Sequence, residues 1–219
     1  MTRSDHSLFE NEPSPGERME LCDGAVLLRG FAAAPAPALV GAVREIEKSA
    51  PFRNMITPGG HRMSVAMTNC GQAGWVTDRT GYRYDANDPE TGKPWPPMPK
   101  VFGQLAVRAA AEAGFADFVP DVCLVNRYQP GTRLSLHQDR DEHDYRQPIV
   151  SVSLGLPAVF LFGGPERSQR PRRIRVESGD VAVWGGPARL NFHGVAPLKD
   201  GFDPLLGHHR INLTFRKAL

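Results

Sequence analysis

The second half of the chain is made of short stretches in which apolar and polar residues alternate. From residue 119 onward, turn residues such as Gly, Pro, Asp and Asn separate these stretches. Because successive side chains of a strand point to opposite faces, the alternation predicts half-buried β-strands. Strands at this spacing are typical of a sandwich or barrel. The stretches are DVCLVNRYQPG, TRLSLHQD, PIVSVSLGL, AVFLFGG, RRIRVESGDVAVWGG, RLNFHGV and HRINLTFRKA.

Two helices are predicted in the first half of the chain. Residues 36–51 carry apolar side chains at helical spacing, and the segment closes before Pro51. Residues 99–115 are rich in Ala, with Pro99 in the first turn and Gly114 near the end. The chain therefore combines a helical first part with a β-rich second part.

Strands and turns surround these helices. Residues 24–31 predict a first strand, and residues 57–71 predict an alternating strand that follows a Pro-Gly-Gly turn. Residues 72–97 contain many turn residues and four aromatic side chains. Residues 1–18 are polar and contain proline, which predicts a flexible arm.

Composition narrows the classes of protein that fit. Hydrophobic residues make up 41% of the 219 residues, enough for one packed domain, and the net charge of +2 is too small to indicate nucleic-acid binding by itself. Cys22, Cys70 and Cys123 form no CxxC pair, which argues against a disulfide framework. Since we find no signal peptide or membrane-spanning run, we expect a soluble cytoplasmic protein without membrane partners.

A His-x-Asp pair ends one of the predicted strands. His137 and Asp139 are two residues apart, so an extended strand would present both on one face. Of three candidates for a third metal ligand, His193, His208 and His209, we favour His193 because a predicted strand holds it. Two histidines and one carboxylate form the facial triad of non-haem Fe(II) oxygenases. The His-x-Asp pair alone is more often a chance pair on a solvated loop.

The charged residues after this pair do not fit a calcium-binding loop. A loop that starts at Asp139 would have Asp144, rather than Gly, at its sixth position. We therefore predict that Glu142, His143 and Asp144 are an ordinary charged loop.

The final strand, RINLTFR, has one polar and one apolar face. Arg210, Asn212, Thr214 and Arg216 share the polar face, which is either solvated or turned into a barrel. Arginines that point into a barrel beside a metal would bind a dicarboxylate, because guanidinium pairs with carboxylate through two hydrogen bonds. The strand LVNRY adds two donors on one face, Asn126 and Tyr128. Metal triad and carboxylate site together indicate Fe(II) with 2-oxoglutarate. The two arginines lie about 20 Å apart along the strand, so either their side chains converge or only one binds directly.

Several segments together resemble the AlkB family of Fe(II)/2-oxoglutarate dioxygenases. They are SLHQDRDE, PIVSVSLGLPAVFLFGG, GDVAVWGG, FHG and RINLTFRKA, with PFRNMITPGGHRMSVAMTNCG similar to the bacterial repair members. The resemblance covers roughly residues 25 to 217. It implies an α+β, mainly β fold: a double-stranded β-helix (jelly-roll) core with N-terminal helices and a β-rich nucleotide-recognition lid. We expect residues 1–219 to form a single dioxygenase domain, with the lid at about 50–97 and the core at about 119–219.

The resemblance also implies roles for individual residues. The metal ligands and catalytic residues would be His137, Asp139 and His193. The 2-oxoglutarate contacts would be Asn126, Tyr128, Arg210, Asn212 and Arg216. Trp75 would stack on a flipped damaged base, Tyr82 would contact a phosphate, and Asp141 would face the exocyclic nitrogen. The full set of substrate contacts is Met67, Trp75, Tyr82, Tyr84, Asp141 and Arg167.

The activity that the resemblance implies is oxidative demethylation of N-alkylated bases such as 1-methyladenine and 3-methylcytosine. It would use Fe(II), 2-oxoglutarate and O2, and release formaldehyde, succinate and CO2. We expect a monomer that acts on alkylated single-stranded DNA, with RNA and duplex DNA left open as substrates. His61 departs from the family's lid pattern and puts the lid contacts in question.

Three other functions remain open at this point. They are an oxygenase of a small molecule or protein, a non-catalytic reader of modified nucleic acid and, more remotely, a structural zinc protein.

Overall fold

The computed structural model describes residues 16–219, and within them the chain is mainly β. The elements, in chain order, are β1 (Arg18–Cys22), β2 (Ala25–Leu28), α1 (Ala36–Ser49), β3 (Ala66–Gly71), β4 (Gly74–Asp78), β5 (Gly81–Asp85), α2 (Lys100–Glu112), β6 (Val122–Tyr128), β7 (Leu134–His137), β8 (Ile149–Gly155), β9 (Ala158–Phe162), β10 (Arg172–Val176), β11 (Val181–Trp184), a 3-10 turn (Gly186–Ala188), β12 (His193–Val195) and β13 (Arg210–Arg216). Both predicted helices are present. Between residues 16 and 219, no helix has the length and apolar character that crossing a membrane requires.

Two antiparallel sheets form the core. The larger has seven strands in the order β1-β2-β11-β8-β13-β6-β3, and the smaller has four in the order β10-β9-β12-β7. They pack face to face: the rings of Phe160 and Phe162 on β9 lie 5.9 and 6.0 Å from Trp184 on β11. Two packed antiparallel sheets are the architecture of a jelly roll, so the predicted fold class is confirmed.

Strand β13 separates the inside of the two-sheet core from the helices. Phe215, on its apolar face, meets Phe102 of α2 edge to face at 5.8 Å. Its polar residues turn the other way and line a cavity between the sheets, with Arg210 and Arg216 only 2% and 5% exposed. Of the two orientations that the sequence left open, the polar face therefore takes the interior one.

A separate hairpin stands over one end of the core. Strands β4 and β5 pair only with each other to form a two-stranded sheet, which we call the lid hairpin. On it, the rings of Trp75 and Tyr82 stack at 5.7 Å with an interplanar angle of 21°. These two aromatic side chains form a surface beside the opening of the core.

The strand predicted for residues 57–71 is much shorter in the structure. Only its second part, β3, is a regular strand, and β3 belongs to the large sheet. The first part folds as a turn, in which the Thr57 N–H donates to the His61 carbonyl oxygen at 2.9 Å. Gly60 takes a φ of +81° there, which only Gly adopts without strain.

The N-terminal part of the described chain contains a strand that the sequence did not predict. Strand β1 forms a hairpin with β2 through a turn at Gly24, whose φ is +77°. The predicted arm at residues 1–18 lies mostly outside the described residues. Its last part is structured, since the Gly16 N–H donates to the Arg29 carbonyl oxygen at 2.9 Å. The Arg29 guanidinium in turn forms a buried ion pair with Asp180 at 2.7 Å.

Candidate active site

Three side chains with metal-binding chemistry meet between β7 and β12. Ligand atoms of His137, Asp139 and His193 all lie within 4.8 Å of one another. The two histidines face each other across the β7–β12 pair, with ring centroids 4.4 Å apart. The Asp139 carboxylate is 3.6 Å from His137 Nε2 and 3.7 Å from His193 Nε2. The predicted triad is therefore assembled in space.

The secondary structure that brings these three residues together differs from the predicted one. Strand β7 ends at His137, so Asp139 lies on the following loop rather than on the same strand face. His193 is the first residue of β12, so it too lies at a strand end. The three ligands therefore come from two strand ends and a loop.

Backbone carbonyls orient both imidazoles. Nδ1 of His137 is 2.9 Å from the Ser135 carbonyl oxygen, and Nδ1 of His193 is 3.0 Å from that of Asn191. A carbonyl can only accept, so each Nδ1 carries a proton, and Nε2 is the ring atom of each neutral imidazole that can bind a metal. Burial and the neighbouring His193 lower the pKa of His137 to about 4, so this imidazole is neutral and able to bind a metal at neutral pH.

Arg216 holds the carboxylate of the triad. Its Nε and Nη2 donate to Asp139 Oδ2 at 3.0 and 2.7 Å. Although burial would raise it, Arg216 and the two histidines hold the pKa of Asp139 well below its usual value. Asp139 is thus an anion, as a metal ligand must be.

Several buried guanidinium N–H groups in the cavity are unpaired and would suit an anionic ligand. Among residues 16–219, no hydrogen-bond partner is found for the buried Arg216 Nη1, for Nε and Nη1 of Arg210, or for Asn126 Oδ1. Arg210 is held by Ser153 Oγ at 3.0 Å and lies 4.8 Å from the centre of the Tyr128 ring. Buried guanidinium donors without partners are costly, and a carboxylate at each would satisfy them.

Asn212 has a different environment from the two arginines. Its amide donates to Ser151 Oγ and the Val152 carbonyl oxygen, and its own oxygen accepts from Thr214. It lines the cavity with its hydrogen bonds already made inside the protein, so it shapes the site rather than offering free donors.

One cavity of about 970 Å³ joins the triad to the lid hairpin. Every predicted site residue lines it except Tyr84. Its arginines outnumber its carboxylates by six to two, in a chain whose whole net charge is +2. The arginines are Arg62, Arg133, Arg140, Arg167, Arg210 and Arg216. The cavity is large enough for a small diacid together with a nucleobase-sized group.

The lid hairpin and the loop after Asp139 form the other end of the cavity. Trp75 Nε1 donates to Asp141 Oδ2 at 2.8 Å, which fixes the indole beside the stacked Tyr82. Tyr82 is 51% exposed, whereas Met67 is buried on β3. Arg167 is held at the edge, where it donates to the Leu136 carbonyl oxygen at 2.7 Å.

Tyr84 and Glu142 form a pair that the sequence did not indicate. Tyr84 is not among the residues that line the cavity, and its hydroxyl donates to Glu142 Oε1 at 2.6 Å. Its contact with the substrate stays a prediction. Glu142 is buried rather than part of a solvated loop, and it also pairs with Arg189 at 2.9 Å. No local sequence pattern identifies Glu142 as a buried residue, because its partners Arg189 and Tyr84 lie 47 and 58 residues away in sequence.

Trp184 is a further cavity residue that the sequence did not indicate. Its ring lies 4.8 Å from His193, and its buried Nε1 has no partner. The sequence did not indicate Trp184 because VAVW has the pattern of an ordinary buried strand.

The other histidine candidates lie outside this cluster. His208 pairs with Asp200 at 3.2 Å, and His209 contacts the Leu206 carbonyl oxygen. Over residues 16–219, His137, Asp139 and His193 are the one group with metal-binding geometry, and it lacks the fourth protein ligand of a structural zinc site.

Comparison with known proteins agrees with this geometry. Residues 24–216 match the model of the 2OG-Fe(II) oxygenase superfamily. The chain is 58% identical over 198 residues to alpha-ketoglutarate-dependent dioxygenase AlkB of Escherichia coli (strain K12), which covers 90% of this chain and 92% of that protein. It is 35% identical over 122 residues to the human nucleic acid dioxygenase ALKBH1, covering 55% of this chain and 31% of that protein.

A solved structure extends the comparison to the fold. The structure of OsALKBH1 superposes with a TM-score of 0.80 at 30% identity and covers 92% of this chain and all of that chain. Members of the superfamily require Fe(II), 2-oxoglutarate and O2, and the cluster of two histidines and one aspartate suits that metal. The chain belongs to the 2OG-Fe(II) oxygenase superfamily and, within it, to the AlkB family of 2-oxoglutarate-dependent dioxygenases.

Proposed function

We propose that this enzyme removes N-alkyl groups from bases such as 1-methyladenine and 3-methylcytosine in single-stranded DNA. The observation that carries this proposal is one continuous cavity, with the triad at one end and the Trp75–Tyr82 stack at the other. An aromatic surface opposite a metal site suits a planar base whose alkyl group points at the metal. The names of relatives such as the human nucleic acid dioxygenase support a nucleic-acid substrate.

His137, Asp139 and His193 would hold the iron, and the cavity supports this assignment. Their Nε2 and carboxylate atoms are near enough to share one ion, and their protonation suits binding. Arg210 and Arg216 would hold the two carboxylates of 2-oxoglutarate with their unpaired N–H groups. When bound, Fe(II) and 2-oxoglutarate supply the oxidation of the alkyl group by O2, with release of formaldehyde, succinate and CO2.

The chain's own part is to orient the base and exclude water. Trp75 would stack on the base, a contact that contributes about 1–3 kcal/mol. Asp141, already fixed by Trp75, would face the exocyclic nitrogen, and Tyr82 and Arg167 would contact the backbone. A base in a duplex cannot reach a cavity of this depth without leaving its stack, which favours single strands.

The remaining substrate-side and organisational assignments are also part of this proposal. We propose that Met67 packs beside the base, and that residues 50–97 act as the lid and 119–219 as the catalytic core of one domain. We propose a cytoplasmic monomer; the three cysteines, all unpaired, suit a reducing compartment. RNA and duplex DNA are further candidate substrates.

Turnover of methylated oligonucleotides tests the function directly. Protein loaded anaerobically with Fe(II) and 2-oxoglutarate is mixed with oxygen and 1-methyladenine or 3-methylcytosine in single-stranded DNA, RNA or duplex DNA. We expect formaldehyde and succinate in equal amounts, fastest with single-stranded DNA. Succinate without formaldehyde from any nucleic acid would indicate a different substrate, and no succinate at all would indicate a reader.

The matched variant for this assay is Asp139→Ala. It removes the ligand that Arg216 holds, so we expect turnover to fall by at least about 10²-fold. Arg173→Ala, on the exposed face of β10 and outside the cavity, is the control and should keep wild-type turnover. Wild-type turnover in Asp139→Ala would refute the triad.

A further inference from the structure

Glu142 is a buried acid at the centre of a hydrogen-bond network. Its side chain is 1% exposed. Oε2 accepts from Arg189 Nη2 at 2.9 Å, and Oε1 accepts from the Tyr84 hydroxyl at 2.6 Å. Arg216 Nε lies 3.3 Å from the same Oε1. A carboxylate with this many buried partners has a positional role in the fold, because each partner fixes it from a different direction.

Two of these partners lead directly to Asp139. Arg189 Nη1 donates to the Asp139 carbonyl oxygen at 2.7 Å, while Arg216 donates to its carboxylate. Glu142 is therefore connected to the backbone of the proposed metal ligand through the Arg189 guanidinium and to its side chain through the Arg216 guanidinium. Arg189 also donates to the Gln147 carbonyl oxygen at 2.9 Å, which anchors it independently of Glu142.

The third partner leads to the lid hairpin. Tyr84 on β5 lies directly opposite Trp75 on β4. Trp75 donates to Asp141, and Tyr84 donates to Glu142, so consecutive acids of one loop hold both strands of the hairpin. Any displacement of the hairpin from this loop breaks the bond to Glu142.

Arg216 Nε is placed between two carboxylates. It is 3.0 Å from Asp139 Oδ2 and 3.3 Å from Glu142 Oε1. If the Tyr84 hydroxyl leaves Oε1, that buried oxygen loses its closest donor, and Arg216 is the nearest group that can replace it. A shift of Arg216 toward Glu142 would weaken its hold on Asp139 and move its unpaired Nη1.

We propose that Glu142 is a positioning residue that couples the lid hairpin to the 2-oxoglutarate site through Tyr84 and Arg216. With the hairpin seated, Arg216 is held in the position that serves both Asp139 and the cosubstrate. Nucleic acid on the hairpin and 2-oxoglutarate at Arg216 then strengthen each other's binding by the same factor. The part of this inference that concerns nucleic-acid binding rests on the proposed function.

Two variants isolate the coupling. Tyr84→Phe removes the hydroxyl that bonds Glu142 and keeps the ring, and Glu142→Gln keeps the size of the side chain but removes its charge. Tyr145→Phe is the matched control, since its hydroxyl donates to the Arg140 carbonyl oxygen of the same loop at 2.6 Å but does not touch Glu142. Circular dichroism and the unfolding midpoint establish that each variant is folded.

The experiment measures binding rather than turnover. The Kd of 2-oxoglutarate for the anaerobic Fe(II) enzyme is measured by calorimetry, with and without single-stranded DNA containing 1-methyladenine. For the wild type and Tyr145→Phe we expect the oligonucleotide to lower this Kd about fivefold or more. For Tyr84→Phe we expect the ratio to fall below about twofold. A direct loss of a nucleic-acid contact would change the Kd of the oligonucleotide and leave this ratio as it was.

A measurement without nucleic acid separates this inference from the proposed function. We expect Glu142→Gln alone to raise the Kd of 2-oxoglutarate about tenfold, as loss of one charge-assisted contact to Arg216 implies. If that holds and no oligonucleotide binds the wild type, the proposed function is wrong and the positioning of Arg216 stands. If oligonucleotides bind but wild type and Tyr84→Phe show the same ratio, the coupling is wrong. Wild-type Kd values in Glu142→Gln would refute the positioning role itself.

Discussion

At the scale of single residues, we expect Arg210 to lower the stability of the protein until an anion binds to it. Arg210 is 2% exposed, and two of its three nitrogens have no partner. Burial lowers its pKa although Tyr128 opposes the shift, because the charged form is costly without an anion. Arg29 is buried to a similar degree but has Asp180 at 2.7 Å. The effect of replacing a buried arginine on the free energy of unfolding can therefore be compared between Arg210, which has no carboxylate partner, and Arg29, which has one.

We expect Arg210→Met to stabilise the protein in the absence of 2-oxoglutarate. Replacing a buried unpaired charge by a packed apolar chain should raise the free energy of unfolding by about 1–4 kcal/mol. Urea unfolding with and without 2-oxoglutarate checks this, and 2-oxoglutarate should stabilise only the wild type.

The matched variant is Arg29→Met, which leaves Asp180 without its charge partner. It should lower the free energy of unfolding by about 3–5 kcal/mol. A loss of stability in Arg210→Met as large as in Arg29→Met would show that Arg210 is structural and contradict its assignment to the cosubstrate.

At the scale of elements, the close approach of β7 and β12 sets the spacing of the two histidines. Gly194 follows His193, and a Cβ there would lie 2.6 Å from the Leu134 carbonyl oxygen of β7. The register of the β7–β12 pair is irregular here, between His193 and Val195. Only a residue without a side chain lets the strands approach this closely.

Gly194→Ala should therefore move His137 and His193, the proposed metal ligands, apart without replacing either of them. We expect metal affinity to fall about tenfold and the free energy of unfolding to fall by about 1–3 kcal/mol, measured by metal titration and urea unfolding. Gly41→Ala is the control, because a Cβ at that helical position meets nothing within 4 Å and should add about 1 kcal/mol of stability. Unchanged metal affinity in Gly194→Ala would show that the strand spacing does not matter.

Some features of the strands could be predicted from the sequence, and others could not. The face of β13 that carries Arg210 and Arg216 followed from alternation, because periodicity 2 is a property of the strand itself. Alternation could not give the direction of that face, which depends on the helices packed behind Phe215. Strand β1 was missed because its partner is reached only through the turn at Gly24.

The prediction for Glu142 failed for a related reason. A buried acid is recognised by its partners, and Arg189 and Tyr84 come from distant parts of the chain. The His137–Asp139–His193 cluster was found because His137 and Asp139 are two residues apart, a predicted strand holds His193, and the family resemblance joins the three. The sequence argument placed His137 and Asp139 near each other because it assumed one continuous strand. In the structure the two are close, but β7 ends at His137 and Asp139 lies on the loop that follows.

For the whole molecule, the cavity is the place where a local excess of positive charge is observed, with six arginines and two carboxylates in its lining. Four exposed arginines stand at its rim: Arg62, Arg133, Arg140 and Arg167. A nucleic-acid strand that enters the cavity would pass these side chains. Each phosphate contact with single-stranded nucleic acid adds about 0.7 to the slope of log Kd against log salt.

We expect the double variant Arg62→Ala, Arg133→Ala to lower this slope by up to about 1.4. The measurement is fluorescence anisotropy of a methylated single-stranded oligonucleotide at several salt concentrations. Arg170→Ala, Arg173→Ala makes the same change of charge outside the cavity and should leave the slope close to that of the wild type. Equal slopes for both double variants would mean that the strand takes another path.

The continuous cavity also has a consequence for inhibitor chemistry. Because Arg210, Arg216 and the Trp75–Tyr82 stack line the same cavity, one compound could occupy both of its ends. A metal-chelating diacid joined by a short linker to a planar heterocycle would present its second half at a high effective concentration once the first is bound. Such a compound would distinguish this enzyme from oxygenases that share the iron site but lack the aromatic stack.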